Sequence, residues 1–330
     1  MMRRLFRPNF EFEHQLAAGN SPWQLPKKLA QVNARWAHRV IPLMSPEDYL
    51  WLPEIDLLDD ESRRRLTSEC ALRRIILLPT IDDVESASGE IELIPWGWSQ
   101  AMTQLATKNG WTFSAPLLET VEWINSRGTS FQFEEKWNIA PAGCRVIHSL
   151  TDLKEIVTAQ DETANWLVKA EFSMSSRERL MGRGRTLTGN DQNWAEHRLN
   201  NGQALYFEPW LDRVAEMSIH FQIDTNRSVN RLGCTHLHTD AHGRYLGNVA
   251  VAKNEEAEFI RQWQVSCEQT SAFVEEAASR GYFGPLSIDA MRYRISNGTL
   301  LERPLQDING RFTMGRCELE RALSTGELTD

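Results

Sequence analysis

The stretch "LLERPLQDINGRFTMG" (residues 300–315) begins as an apolar strand and then places Asp307 and Asn309 two positions apart. Residues two apart in a β-strand point to the same side of the sheet. A carboxylate and a carboxamide on the inner face of a half-buried strand are costly unless a ligand engages both. Mg²⁺ prefers oxygen ligands of this kind. The stretch therefore predicts a strand that binds a metal ion.

The preceding strand, "LSIDAMRYRI" (residues 286–295), carries Asp289 and is joined to this one through Asn297-Gly298, a strong hairpin signal. A two-residue turn there would leave Asp289 and Asp307 on opposite faces. A three-residue loop, Asn297 to Thr299 with Gly298 in a left-handed conformation, would instead pair the two acids, and a bulge near Pro304 would have the same effect. A shared metal site therefore requires an extra residue in this connection.

Composition narrows the class of protein. The chain has 330 residues, which suffices for two or three lobes, and its net charge of −9 argues against a general nucleic-acid binder. Its five cysteines are scattered without a CxxC spacing, so neither a disulfide framework nor a zinc knuckle is indicated. The N-terminal residues lack the apolar run of a signal peptide, and no window resembles a membrane span. We expect a cytoplasmic protein that binds neither nucleic acid nor membranes.

Hydrophobic patterning divides the chain into three parts. The first 40 residues read as an irregular arm, and "PEDYLWL" reads as a short helix after Ser45. A buried strand "RRIILLPT" and a helix after "PWGW" then predict a small α/β lobe, so that the first domain covers residues 1–118. Alternating helices and strands follow, including one long helix near residues 256–280. They predict an α+β fold with two further lobes, residues 119–205 and 206–330.

Four features follow one another in chain order. Lys169 ends a strand that leads into a Ser/Gly/Arg-rich loop, "SMSSRERLMGRG", and Glu208 and Glu216 lie in "YFEPWLDRVAEMSI". Asp289 and the Asp307–Asn309 pair complete the series. This order resembles the ATP-grasp superfamily, in which two α+β lobes hold ATP between them. The resemblance covers roughly residues 119–315, and residues 40–118 would form the lobe that precedes this fold in many members.

The resemblance implies a role for each of these segments. Lys169 would contact the phosphates, and Glu208 would bind adenine together with the backbone at Trp210 and Leu211. Glu216 would accept hydrogen bonds from the ribose hydroxyls. The nearest counterpart of a second family lysine is Arg127. Asp289, Asp307 and Asn309 would bind Mg²⁺ or Mn²⁺, although Asp307 stands where the family usually has glutamate.

Two arginines are candidate catalytic residues, because arginine binds phosphate and carboxylate groups bidentately. Arg177 lies in the Ser/Gly/Arg-rich loop, which the resemblance implies closes over the phosphates, and three other arginines lie in or just after this loop. Arg311 lies two places beyond Asn309. Arg311 would hold an acyl phosphate. The implied function is ATP-dependent joining of a small-molecule carboxylate to an amine. A kinase on the same scaffold and a non-catalytic nucleotide-binding protein are the alternatives, and a homodimer is left open.

Two other patterns compete for functional roles. His236, His238, Asp240 and His242 are spaced two apart, which on one strand would suit zinc or iron, but Asp240 to Gly243 reads as a turn that would separate the ligands. Among the twelve tryptophans, Trp96 and Trp98 flank a glycine before a helix. They predict either core packing or the lining of a ligand cleft.

Overall fold

The computed structural model describes residues 2–19, 23–85, 89–173 and 178–327. Its first part contains the strands β1 (Arg3–Arg7), β2 (Tyr49–Trp51), β3 (Ile76–Leu78) and β4 (Ile91–Pro95). The accompanying helices are α1 (Phe12–Ala18), α2 (Lys27–Trp36), α3 (Asp60–Leu72), α4 (Ile81–Glu85) and α5 (Gln100–Lys108), with 3₁₀ turns at Ala37–Leu43 and Ile55–Leu57.

These first strands form an entirely parallel sheet in the order β3-β2-β1-β4. The expectation of an irregular N-terminal arm is therefore corrected, because β1 is an inner strand of this sheet. Its Leu5 and Phe6 are buried in the core, and the flanking arginines find remote acidic partners, such as Glu54 for Arg7. The helix predicted at "PEDYLWL" is likewise wrong. Pairing with β1 makes Tyr49–Trp51 a buried strand instead.

The middle of the chain supplies a second sheet. Its elements are α6 (Leu118–Asn125), α7 (Arg127–Lys136), β5 (Arg145–Ile147), α8 (Leu150–Thr158), β6 (Asn165–Ala170), β7 (Arg179–Arg183), α9 (Gly189–Asn200) and β8 (Leu205–Pro209). The strands pair antiparallel in the order β5-β8-β6-β7 over a core that includes Trp166 and Phe207. By sheet membership this lobe extends to Pro209, beyond the predicted boundary at residue 205.

The last part forms a five-stranded antiparallel sheet. Its elements are β9 (Asp212–Ile223), β10 (Val229–Thr239), β11 (Tyr245–Ala250), α10 (Lys253–Gln262), α11 (Gln264–Ser279), β12 (Gly284–Arg294), β13 (Leu300–Asn309) and α12 (Met314–Thr325). The order is β11-β10-β9-β12-β13. The predicted long helix is two helices that meet at the buried Trp263. Helices α6 and α7 also pack here, since Ile124 and Phe133 share a core with Phe273.

The hairpin β12–β13 decides where the acidic residues point. Asp289 pairs directly with Asp307 across the hairpin, whereas Met291 pairs with Arg303. The register shift between these pairs is a bulge on β13 at residues 304–306, at the predicted place near Pro304 but with two extra residues where one was predicted. The two-residue turn is wrong, because the backbone N–H of Ile295 bonds to the carbonyl of Thr299 around a three-residue loop of residues 296–298, one position before the predicted loop. Asp289 and Asp307 therefore share one face.

Candidate active site

A cavity of about 250 Å³ lies where the three lobes meet. Each predicted site residue in the described part of the chain lines this cavity: Arg127, Lys169, Glu208, Trp210, Leu211, Glu216, Asp289, Asp307, Asn309 and Arg311. Arg177, the remaining candidate, lies outside the described residues. The sheet of the third lobe forms the acidic wall, the second lobe contributes the lysine, and the first lobe contributes an aromatic corner.

The acidic wall is built on neighbouring strands. Ser218 on β9 donates its hydroxyl hydrogen to Asp289 Oδ1 at 2.5 Å, and Asn309 Nδ2 lies 3.4 Å from Asp289 Oδ2. Burial, and next the negative charge of Asp307, raise the pKa of Asp289 to about 7, although the bond from Ser218 lowers it. A divalent cation would remove this penalty by favouring both ionised carboxylates. The two acids and the Asn309 oxygen fit a Mg²⁺ or Mn²⁺ ligand set.

Facing these acids is the guanidinium of Arg127, at the start of α7. Its Nη2 lies 3.3 Å from Asp307 Oδ1. Its Nε and Nη1 are buried and have no hydrogen-bond partner among the described residues. Burying charged donors without acceptors is costly, so these atoms indicate a site for an anionic ligand. A phosphate group, which accepts several hydrogen bonds from a guanidinium, is well suited to it.

Lys169 belongs to a buried ionic network beside this site. Its Nζ lies 2.7 Å from Glu208 Oε2, and Arg303 Nη1 lies 2.9 Å from the same oxygen. Arg303 also forms a bidentate pair with Glu134 of α7, at 2.7 and 2.9 Å. Burial would raise the pKa of Glu208, but the charges of Arg303, Lys169 and Arg127 outweigh burial and lower it. Glu208 is therefore held as a carboxylate at the base of the cavity.

Arg303 and Glu134 were missed by the sequence interpretation. Arg303 is 1% exposed, although arginine is seldom fully buried without a partner. Its one sequence signal is its place immediately before Pro304 in a strand. Glu134 lies 169 positions away, and no local spacing links the two.

The segment after Glu208 connects the second and third lobes. The backbone N–H of Trp210 bonds to the carbonyl of Asn165, which anchors the connection to β6. Glu216 is buried further along β9, where its carboxylate accepts hydrogen bonds from Thr239 and from Gln306 Nε2, the latter at 2.8 Å. Both predicted nucleotide-binding glutamates are thus fixed in orientation by protein partners while still bordering the cavity.

Arg311 reaches towards the first lobe. Its Nε donates to Glu13 Oε1 at 2.6 Å, and its guanidinium lies 5.9 Å from the ring centroid of Trp96. Glu13 was not foreseen, because it lies in the segment that was predicted to be irregular. Trp96 lines the cavity, whereas Trp98 packs in the first-lobe core against Phe113. One tryptophan of the pair therefore borders the cleft and the other is structural.

The histidine cluster is divided between a strand and a turn, since His236 and His238 lie on β10 and His242 lies in the turn that follows. Asp240 Oδ1 accepts hydrogen bonds from the backbone N–H groups of His242 and Arg244, both at 2.8 Å. The described ranges contain no group of three or more His, Cys, Asp or Glu side chains placed to hold a metal ion. The turn predicted at Asp240 to Gly243 is therefore present, and it separates the side chains that the zinc or iron alternative would need. The turn instead joins the lobes, since Arg179 of β7 donates to the carbonyl of His242 at 2.6 Å.

No protein-family model and no curated protein matches this chain, but solved structures do. The ADP complex of N5-carboxyaminoimidazole synthetase from Staphylococcus aureus is 10% identical, with a TM-score of 0.50 over 98% of this chain and 77% of that chain. A biotin carboxylase–β-γ-ATP complex from Campylobacter jejuni is 11% identical, with a TM-score of 0.58 over 97% and 67%.

A further similar structure is the biotin carboxylase domain of Hydrogenobacter thermophilus 2-oxoglutarate carboxylase, in complex with MgADP, ADP and bicarbonate. It is 12% identical, with a TM-score of 0.54 over 98% of this chain and 69% of that chain. At such identities the likeness shows a shared fold. Separately, no described helix combines the length and the apolar character needed to cross a bilayer.

Proposed function

We propose that this chain, which has the ATP-grasp fold with a preceding α/β lobe, is an ATP-dependent ligase that joins a carboxylate to an amine. One observation carries the proposal. The cavity brings two buried nitrogens of Arg127, which have no hydrogen-bond partner among the described residues, together with the acids Asp289 and Asp307, whose mutual repulsion a divalent cation would offset. A nucleoside triphosphate would supply negative charge to Arg127, and its metal ion would supply positive charge to Asp289 and Asp307.

The nucleotide would lie along the junction of the second and third lobes. Lys169 and Arg127 would contact its phosphates, with the backbone at Trp210 and Leu211 against the base. Glu208 would border the base and Glu216 the ribose. The similar structures named above contain ADP, MgADP or an ATP analogue, which supports this class of ligand.

The metal ion would be held by Asp289, Asp307 and Asn309, and it would neutralise phosphate charge during transfer. A carboxylate oxygen of the acid substrate would attack the γ-phosphorus of ATP, forming an acyl phosphate and releasing ADP. The amine nitrogen would then attack the acyl carbon, expel phosphate and lose a proton. We assign to Arg311 the positioning of the acyl phosphate, and any part played by Arg177 stays a prediction.

The test has two stages. Thermal unfolding is measured with ATP, ADP and GTP, each with and without Mg²⁺. A nucleotide present at about one hundred times its dissociation constant adds about 2.7 kcal/mol of stability. ADP release is then screened against pools of acids and amines, and ligation requires both together. The absence of stabilisation by any nucleotide would overturn the proposal, and phosphorylation that needs no amine would identify a kinase.

A non-catalytic nucleotide-binding protein is the second candidate. The observation in its favour is that Asp307, shorter than the usual glutamate, is already paired with Arg127. Binding of Mg-nucleotide with no ADP release from any pool would support this candidate. Turnover that appears only in Asp307→Glu would trace the inactivity to the length of this side chain.

A further inference from the structure

The first lobe contributes its own corner to the cavity. In its parallel sheet β1 lies between β2 and β4. Strands β2 and β3 are added on one side of β1 and β4 is added on the other side, so the strand order reverses at β1. Ligands of open parallel sheets bind outside the carboxyl ends of the strands at such a reversal. Phe10 and Glu13 follow β1 and Trp96 follows β4, and all three line the cavity. The crevice of the first lobe therefore opens into the candidate active site.

The walls of this corner are aromatic. The rings of Phe10 and Trp96 lie 4.6 Å apart at 64°, and those of Phe10 and Trp36 lie 5.8 Å apart at 77°. Trp36, on α2, also lines the cavity and is only partly buried. Rings that meet at steep angles present both faces and edges to one space. The ring faces among these surfaces attract organic cations by cation–π interaction.

Glu13 supplies a negative charge to this aromatic corner. Its residue exposure is 6%, and Arg311 places both Nε and Nη2 on Oε1. Oε2 is buried and has no hydrogen-bond partner in the described part of the chain. A carboxylate that served Arg311 only as a counter-ion would be expected to use both oxygens in a bidentate pair. The unused oxygen therefore points to a hydrogen-bond donor that arrives with a ligand.

We propose that this corner, composed of Phe10, Glu13, Trp36 and Trp96, binds the amine substrate through a cationic nitrogen. The ammonium group donates to Glu13 Oε2, which takes one proton from it before the nitrogen attacks the acyl carbon, and the three rings surround its carbon substituents. The assignment to the amine rests on the proposed ligase function. The preference for a cation rests on the aromatic rings and Glu13 alone. The preference for a cation and the proposed ligase function can therefore be refuted independently.

The test uses two probes of matched size, trifluorobutylammonium and the neutral trifluorobutanol, which are titrated by fluorine NMR with and without MgADP. The wild-type protein is expected to bind the ammonium probe about tenfold more tightly than the alcohol, a difference of about 1.4 kcal/mol. Glu13→Gln keeps the side-chain length and is expected to abolish this preference. Trp36→Leu, at a partly exposed position, is expected to reduce it.

The control is Glu54→Gln. Glu54 is a buried partner of Arg7 and does not line the cavity, so this variant reports the structural cost of a lost ion pair and is expected to keep the preference. Equal binding of both probes by the wild-type protein would overturn the proposal, as would an unchanged preference in both Glu13→Gln and Trp36→Leu. Nucleotide binding is measured on the same samples. A protein that binds MgADP without the preference refutes only this inference, and one with the preference but without nucleotide binding refutes only the proposed function.

Discussion

Asp289→Asn in the metal-free protein tests the physical account of the acidic wall. The pKa of Asp289 is raised from 3.8 to about 7 by burial and by Asp307. Between these two values the folded protein retains a proton that the unfolded chain has released. Stability from this group is therefore fully present below the unfolded pKa and is lost as the pH rises through the folded pKa. Asparagine does not titrate, so the variant escapes this loss.

The expected magnitude follows from the shift. About three pKa units correspond to an upper limit of about 4 kcal/mol. Because Asp289 borders the cavity and is reached by water there, we expect its ionisation to lower the stability of the folded protein by about 2–4 kcal/mol. The variant keeps an oxygen that can accept the bond from Ser218 but places a donor near Asn309, which costs about 1 kcal/mol. It should be more stable than the wild type in mild alkali and slightly less stable in acid.

The assay is urea unfolding of chelator-treated protein at about pH 5 and about pH 8. The difference in unfolding free energy between variant and wild type is measured at both pH values, and its change with pH is the quantity of interest. The contributions of the other titrating groups cancel in this difference. Asp212→Asn is the control, since Asp212 is an exposed acid at the start of β9. Adding Mg²⁺ at the higher pH should stabilise the wild type more than Asp289→Asn. An equal loss of stability by Asp289→Asn at both pH values would refute the reasoning.

Three further predictions concern single positions. Lys169→Ala should weaken nucleotide affinity by about 1.5–3 kcal/mol and leave the protein folded, because Glu208 keeps Arg303 as a partner; an unchanged affinity in calorimetry would make Lys169 structural. Asp307→Glu should tighten Mg²⁺ binding and raise ATP turnover, measured as ADP release; reduced metal affinity would show that the shorter acid is the fitted one. Gly182→Ala should lower unfolding stability by about 1–3 kcal/mol, since its Cβ would lie 1.9 Å from the Trp166 ring; an unchanged melting temperature would contradict this packing.

The ATP-grasp fold with a preceding lobe, inferred from four segments in order, is confirmed. The side on which Asp289 lies was left open between a two-residue turn, a three-residue loop and a bulge near Pro304, whereas strand alternation puts Asp307 and Asn309 on one face and so predicted that part of the acidic wall. Such features are encoded by neighbours in the sequence. Their convergence in one cavity followed from the family pattern.

The remaining parts of the site depend on contacts between distant segments. Arg303 meets Glu134 across 169 positions, and Arg311 meets Glu13 across 298. Single-sequence patterns carry no information about such pairings. The first strand was missed for the same reason, since the charges around Leu5 and Phe6 look solvent-exposed until their remote partners are known.

Because of the bulge at residues 304–306, the face to which Asp307 and Asn309 point depends on whether the number of residues inserted into β13 is odd or even. Two extra residues on β13 separate the register near Arg303 from the register near Asp307. Losing one residue there would rotate Asp307 and Asn309 into the apolar layer and turn Ile308 towards the cavity, whereas losing two would restore a flat strand with the acids facing as before. Length variation at these three positions, of which Gln306 borders the cavity, would therefore decide which side chains of β13 face the candidate active site.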